Sequence, residues 1–213
     1  MAGPALESAF GYSDRIHHAL AYAAKHHDRE VRKGTRTPYF TAPASVAVIL
    51  TRYGQGEDTV VAGVLQPAVE DLLRDGESAE GVRARLGDKF GAAAVDAVLG
   101  AARRRYDDDG VELSYEEQRT DALARFAGMS DASRWAFAAH EVHDASALLA
   151  DLRRTQFPDA VWGRFAEGRG ARARWYAQAA EGLAGAGFDG AITAELRAAA
   201  EALAEHAAAP AGR

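Results

Sequence analysis

Glu70 and Asp71 are adjacent carboxylates at the end of an otherwise apolar stretch, Val64-Leu65-Gln66-Pro67-Ala68-Val69. A carboxylate in a half-buried cleft with no cation beside it holds its proton more tightly than in water, which suits general acid–base work near neutral pH. Further along stand His140, His143 and Asp144. Residues three and four apart share one side of a helix, so this trio can face one surface. A set of Glu70, Asp71 and His140 could move protons in an isomerisation, elimination, cyclisation or hydrolysis, with Gln66 as an orienting amide. The plainer reading has the two carboxylates capping a helix or pairing with basic residues, and His140 as a satisfied core histidine. Arg32 and Lys33, just before Gly34, are either ligand-binding cations or a solvated loop pair. Asp107-Asp108-Asp109-Gly110 reads as an exposed turn rather than a cation site. With no cysteine in the chain, thiol nucleophiles, disulfides and thiolate metal sites are excluded.

The elements that must position these groups are helical. Apolar residues recur at three and four spacing, strand-like alternation is nearly absent and alanine is abundant. The pattern predicts helices over 6–27, with Phe10, Ile16, Leu20 and Tyr22 on an apolar face, and over 44–53. A third begins near Asp58 and would run through Leu73 but for Pro67. Further helices are predicted over 78–90, 91–105, 115–127 and 131–153, with two or three after Pro158 that end in an alanine-rich stretch. The fold class expected is all-α, in a single domain spanning residues 1–213. Proline inside a helix removes one backbone hydrogen bond and presses on the carbonyl four residues back, here Gly63, at about 3 kcal/mol. Pro67 therefore implies either a kink or a helix that breaks at Gln66 and restarts.

Hydrophobic residues make up 48% of the 213, enough for a sizeable core. A net charge of -6 argues against broad attraction to nucleic acid or an anionic membrane. No apolar run approaches the roughly 20 residues of a membrane helix, and Met1 to Phe10 lacks the marks of a signal peptide. A cytoplasmic protein with a small-molecule ligand, no nucleic-acid partner and no membrane partner is the expectation; the oligomeric state is left open, a homodimer included.

The segments Arg32-Lys33-Gly34-Thr35, Thr37-Pro38-Tyr39-Phe40-Thr41-Ala42-Pro43 and Val64 to Asp71 resemble the Rel/Spo branch of the HD superfamily, metal phosphohydrolases that hydrolyse guanosine tetraphosphate. The family's words there are R-K-G-x-x-P-Y-x-x-H-P and L-L-H-D-x-x-E-D. A second anchor, Ala139 to Leu149, is similar to A-D-K-L-H-N-x-R-x-L-L. The resemblance spans about residues 12–176 and implies an HD-like helical bundle with C-terminal helices over 159–209. In this register Ala42, Gln66, Pro67 and His140 stand at the four ligand positions. Alanine and proline side chains have no donor atom, a glutamine amide is a poor ligand for a Mn²⁺-like ion, and one imidazole does not hold one. The resemblance also places Glu141, Asp144 and Ser146 where lysine, asparagine and arginine belong, so an acidic pocket floor is expected.

No metal and no cofactor is therefore expected, and the water activation that a metal supplies is lost with it. The resemblance implies that Glu70, Asp71 and His140 face one cleft as catalytic groups, with Gln66, Arg32, Lys33, His143 and Asp144 as ligand-binding residues. Three functions follow. The pocket is reused for metal-independent acid–base chemistry on, or binding of, a small polar organic substrate. Alternatively it is a catalytically inert regulatory or ligand-sensing module, or a residual metal-dependent phosphohydrolase using another ion site. Trp162, Phe165, Trp175 and Tyr176 are expected to be core aromatics. The histidine pairs 17–18 and 26–27 are read as serving packing and solvation.

Overall fold

A computed structural model describes residues 11–107 and 109–209. These form α1 (Asp14–His26), α2 (Thr41–Arg52), α3 (Glu57–Arg74), α4 (Ala79–Phe90), α5 (Ala92–Ala101), α6 (Tyr115–Arg125), α7 (Asp131–Arg154), α8 (Pro158–Trp162), α9 (Gly168–Gly185) and α10 (Ala191–Ala208). The all-α expectation holds: among the described residues the only β pairing is two isolated bridges, Val31 to Pro38 and Tyr106 to Glu112. The expected start of the first helix, the reading of Met1 to Phe10, and Asp108 all lie outside the described residues. Within them, α1 opens at Asp14, where the Ser13 side chain accepts from the Ile16 N–H.

α3 is the axle of the bundle. Every residue from Thr59 to Val69 is buried, as befits a helix that is apolar all round, and α1, α2, α5 and α7 pack against it. Gly63 lets α2 come close: a Cβ there would meet Leu50 Cδ1 at 2.6 Å and Val46 Cγ1 at 2.8 Å. α3 runs unbroken through Pro67, so the predicted break at Gln66 is absent. α7 crosses α3 and carries His140, while α9 and α10 form a second layer on α7. The aromatic expectation is met for Trp162, Trp175 and Tyr176, all buried, and Phe165 packs partly buried against them.

Two helix ends differ from expectation in ways that shape the site. α2 starts at Thr41, not Ala44, so Pro43 falls in its first turn, where its missing N–H costs nothing. α5 stops at Ala101 because Ala102 turns extended (φ -59°, ψ 139°), and residues 103–105 leave the helix. α7 is fixed at its start by Ser130, whose Oγ accepts from the Ser133 N–H at 3.1 Å. Ser130→Ala should cost about 1 kcal/mol, measurable as a lower urea midpoint with unchanged slope.

Candidate functional site

Arg32, Tyr39, Thr41, Ala42, Gln66, Pro67, Glu70, Arg103, His140, His143 and Asp144 surround a small cavity of about 60 Å³ between α2, α3, α7 and the segment after α5. That is room for a few waters or the head of a small polar ligand, far short of the roughly 300–1,000 Å³ of a drug-sized site. An outer cleft of about 380 Å³ continues from it over Asp71, Arg74, Arg104, Arg105 and Glu112. A larger groove between α9 and α10, about 460 Å³, contains none of the candidate residues.

Arg103 is the group that sequence reasoning missed. Its backbone N–H donates to Glu70 Oε1 at 3.1 Å, and its guanidinium to Glu70 Oε2 at 3.0 and 3.2 Å. Gln66 Nε2 donates to Oε1 at 3.1 Å. Burial works to raise the Glu70 pKa, but Arg103 and then Gln66 overcome it and hold the carboxyl below its ordinary value. The expectation of a carboxylate without a cation, ready to hold a proton near neutrality, is thus corrected. Extending α5 through Arg105 hid the contact; the arginine triplet 103–105 was the available signal for a partner of the Glu70-Asp71 pair.

Asp71 also departs from expectation. Adjacent helical residues point about 100° apart, so with Glu70 facing the cavity, Asp71 turns towards α1. There Asp71 Oδ2 lies 3.2 Å from His26 Nε2 and 3.8 Å from His27 Nδ1, and Oδ1 accepts from Arg74 at 2.5 Å. It lines the outer cleft, not the cavity.

His140 does line the cavity, and its role grows from Pro67. In α3 the Gly63 carbonyl has no N–H to accept from residue 67, because proline has none. His140 Nε2 supplies the missing donor at 2.7 Å. Burial lowers the His140 pKa against the pull of that bond and of Glu70. The ring is therefore neutral near pH 7, with its proton on Nε2 and a lone pair on Nδ1. Burial also lowers the pKa of His143.

Asp144 lies 3.6 Å from Arg172; burial would raise its pKa, but Arg172, His143 and Arg103 bring it below the ordinary value. Arg32 borders the cavity while pairing with Asp151 at 3.1 Å. Lys33 is exposed and outside it. The acidic floor does not form. Glu141 is buried on the far side of α7, where it accepts from Trp175 Nε1 at 2.7 Å and burial raises its pKa, and Ser146 faces solvent. Charges in the cavity balance, with Arg32 and Arg103 against Glu70 and Asp144. One polar atom is unmatched: Gln66 Oε1, buried without a donor.

A family model described as HD domain matches residues 19–126. Among solved structures, a protein of Listeria monocytogenes EGD-e is 21% identical, with TM-score 0.62 over 77% of this chain and 99% of its own. Another, described as a metazoan ortholog of SpoT that hydrolyses ppGpp and plays a role in starvation responses, is 21% identical, with TM-score 0.65 over 93% of this chain and 98% of its own. At that identity the two establish likeness of fold alone. None of the curated proteins matches the chain. Among the described residues, no helix is long and apolar enough to cross a membrane.

Proposed function

Because the chain belongs to the HD domain family, we propose that it keeps that family's cavity and dispenses with its ion. The pocket takes a small polar organic molecule, with Gln66 Oε1 and His140 Nδ1 as acceptors, Arg103 and Arg32 as cationic walls, and His140 as the proton-accepting group. The observation that carries this reading is Arg103 lying on Glu70. A guanidinium from the chain itself supplies the positive charge that an ion would otherwise bring to this carboxylate.

The family's ion does not fit the residues present. Ala42 and Pro67 offer no donor atom. Gln66 leaves only a neutral amide oxygen, a poor ligand for a Mn²⁺-like ion, and His140, with its Nε2 on Gly63, leaves a single imidazole nitrogen. Placing a divalent cation beside Arg103 would add repulsion rather than relieve it. No step of the chemistry is therefore routed through a metal here.

What the residues can do follows from their protonation. A neutral imidazole with a bare Nδ1 accepts a proton from a bound donor, and the resulting imidazolium is stabilised by Glu70 and Asp144, both held ionised. Glu70 orients through Gln66 and does not itself exchange protons at neutral pH. A ligand hydroxyl or amide N–H directed at Gln66 Oε1 would satisfy that buried acceptor, which otherwise costs about 1–3 kcal/mol. One observation favours the inert, ligand-sensing reading: Glu70, the carboxylate best placed for acid–base work, is locked in its ion pair.

Incubation with guanosine tetraphosphate and Mn²⁺ should release no pyrophosphate above background. Turnover that requires the metal would overturn this function. Ligand-observed NMR with acetamide and glycolate then separates catalysis or binding from inertness: binding abolished by His140→Leu supports a working pocket, and no binding by either probe supports the inert reading.

A further inference from the structure

Outside the cavity, α1 and α3 bring two imidazoles onto one carboxylate oxygen. His26 Nε2 and His27 Nδ1 lie 3.2 and 3.8 Å from Asp71 Oδ2, and all three atoms fall within 4.8 Å of one another. Ligands about 2.0–2.1 Å from a tetrahedral ion stand roughly 3.4 Å apart, so small rotations close this triangle around one. Glu30 Oε2, 3.1 Å from His27 Nδ1, lies outside this trio, so water completes the shell of an ion held there. We propose that His26, His27 and Asp71 bind a divalent transition ion of the Zn²⁺ or Co²⁺ type.

Four features of the surroundings bear on the site. Two imidazole nitrogens and one carboxylate oxygen suit zinc and its neighbours better than magnesium or calcium. His26 lies in the last turn of α1 and His27 is its C-cap, so the negative end of the helix dipole faces the ion. The His27 side chain is 1% exposed, and its Nε2 is buried without a partner. Against the site stands Arg74, on the other oxygen of Asp71 at 2.5 Å. That guanidinium is 44% exposed and screened by water, and it holds the carboxylate so that Oδ2 faces the imidazoles.

The site joins the end of α1 to α3 one residue from Glu70. It shares no donor atom with the cavity: ion binding here without turnover of guanosine tetraphosphate leaves the pocket reading standing, whereas turnover that needs the ion overturns that reading and not the site.

Calorimetric titration of chelator-treated full-length protein with Zn²⁺ tests the proposal. One equivalent should bind and raise the melting temperature. His26→Ala should weaken binding by about tenfold or more and abolish the thermal shift, and Asp71→Asn should do the same. Circular dichroism of both metal-free variants checks that the fold survives. The exposed His18 near Asp14 is the control, and His18→Ala should bind as the wild type does. Absent saturable binding, equal binding by His26→Ala and Asp71→Asn, or loss of the equivalent in His18→Ala would each overturn the site.

Discussion

Arg103→Leu should destabilise the protein by about 2–3 kcal/mol at pH 7.5, because it strips the guanidinium from a largely buried, charged Glu70 and leaves only neutral donors, Gln66 and the backbone N–H of residue 103. A fully enclosed pair would cost more to break; the Arg103 side chain is 36% exposed, so solvent reaches its outer face. The pH dependence gives the prediction its signature. In the wild type the Glu70 pKa is depressed, so the pair contributes stability above the unfolded carboxylate pKa, about 4.3, and loses it as pH falls. In Arg103→Leu the charge opposing burial is gone, and burial outweighs the two neutral hydrogen bonds that remain and raises the Glu70 pKa. Stability is then present at low pH and lost as pH rises through the new value. The deficit relative to wild type should thus be larger at pH 7.5 than at pH 5 in urea unfolding. Replacing both residues by leucine should recover most of the loss, since well-packed apolar groups often match a buried ion pair. A single variant within about 0.5 kcal/mol of wild type at pH 7.5, the range of an ordinary surface change, would mean that the pair does not form.

The second large effect concerns His140 and Pro67 together. His140→Leu should cost about 1–3 kcal/mol, because the Gly63 carbonyl, buried at the centre of α3, loses its donor. The loss should shrink in a Pro67→Ala background, where residue 67 regains an N–H for that same carbonyl. A double-mutant cycle in urea should therefore show about 1–2 kcal/mol of coupling. Additive losses would show that His140 is held by something other than the orphaned carbonyl. The same cycle bears on the pocket, since the bond to Gly63 places the proton on Nε2 and leaves Nδ1 bare.

Apolar spacing places α4 and α7 with their ends, where Ser78, Ser130 and Gly91 punctuate the chain, and it finds the body of α2 and α3 but not the start of α2 at Thr41 or the passage of α3 through Pro67. The residues gathered around the cavity, Arg32, Gln66, Glu70, His140, His143 and Asp144, were legible through helical spacing combined with the family resemblance. Three things were not. The resemblance pairs Asp71 with Glu70 in one cleft, yet neighbours on a helix diverge. Glu141 was given to the pocket on register alone, while its carboxylate is drawn to Trp175 on a helix more than thirty residues away. Arg103 was hidden because helix propensity runs on through the arginine triplet, and only a tertiary partner, Glu70, pulls it out of α5. In each case a contact distant in sequence overrode a local rule, and a local rule cannot see such contacts.

The guanidinium over Glu70 has a physiological corollary. A counter-charge encoded in the polypeptide arrives with every copy at synthesis, in fixed ratio, and no chelator can strip it.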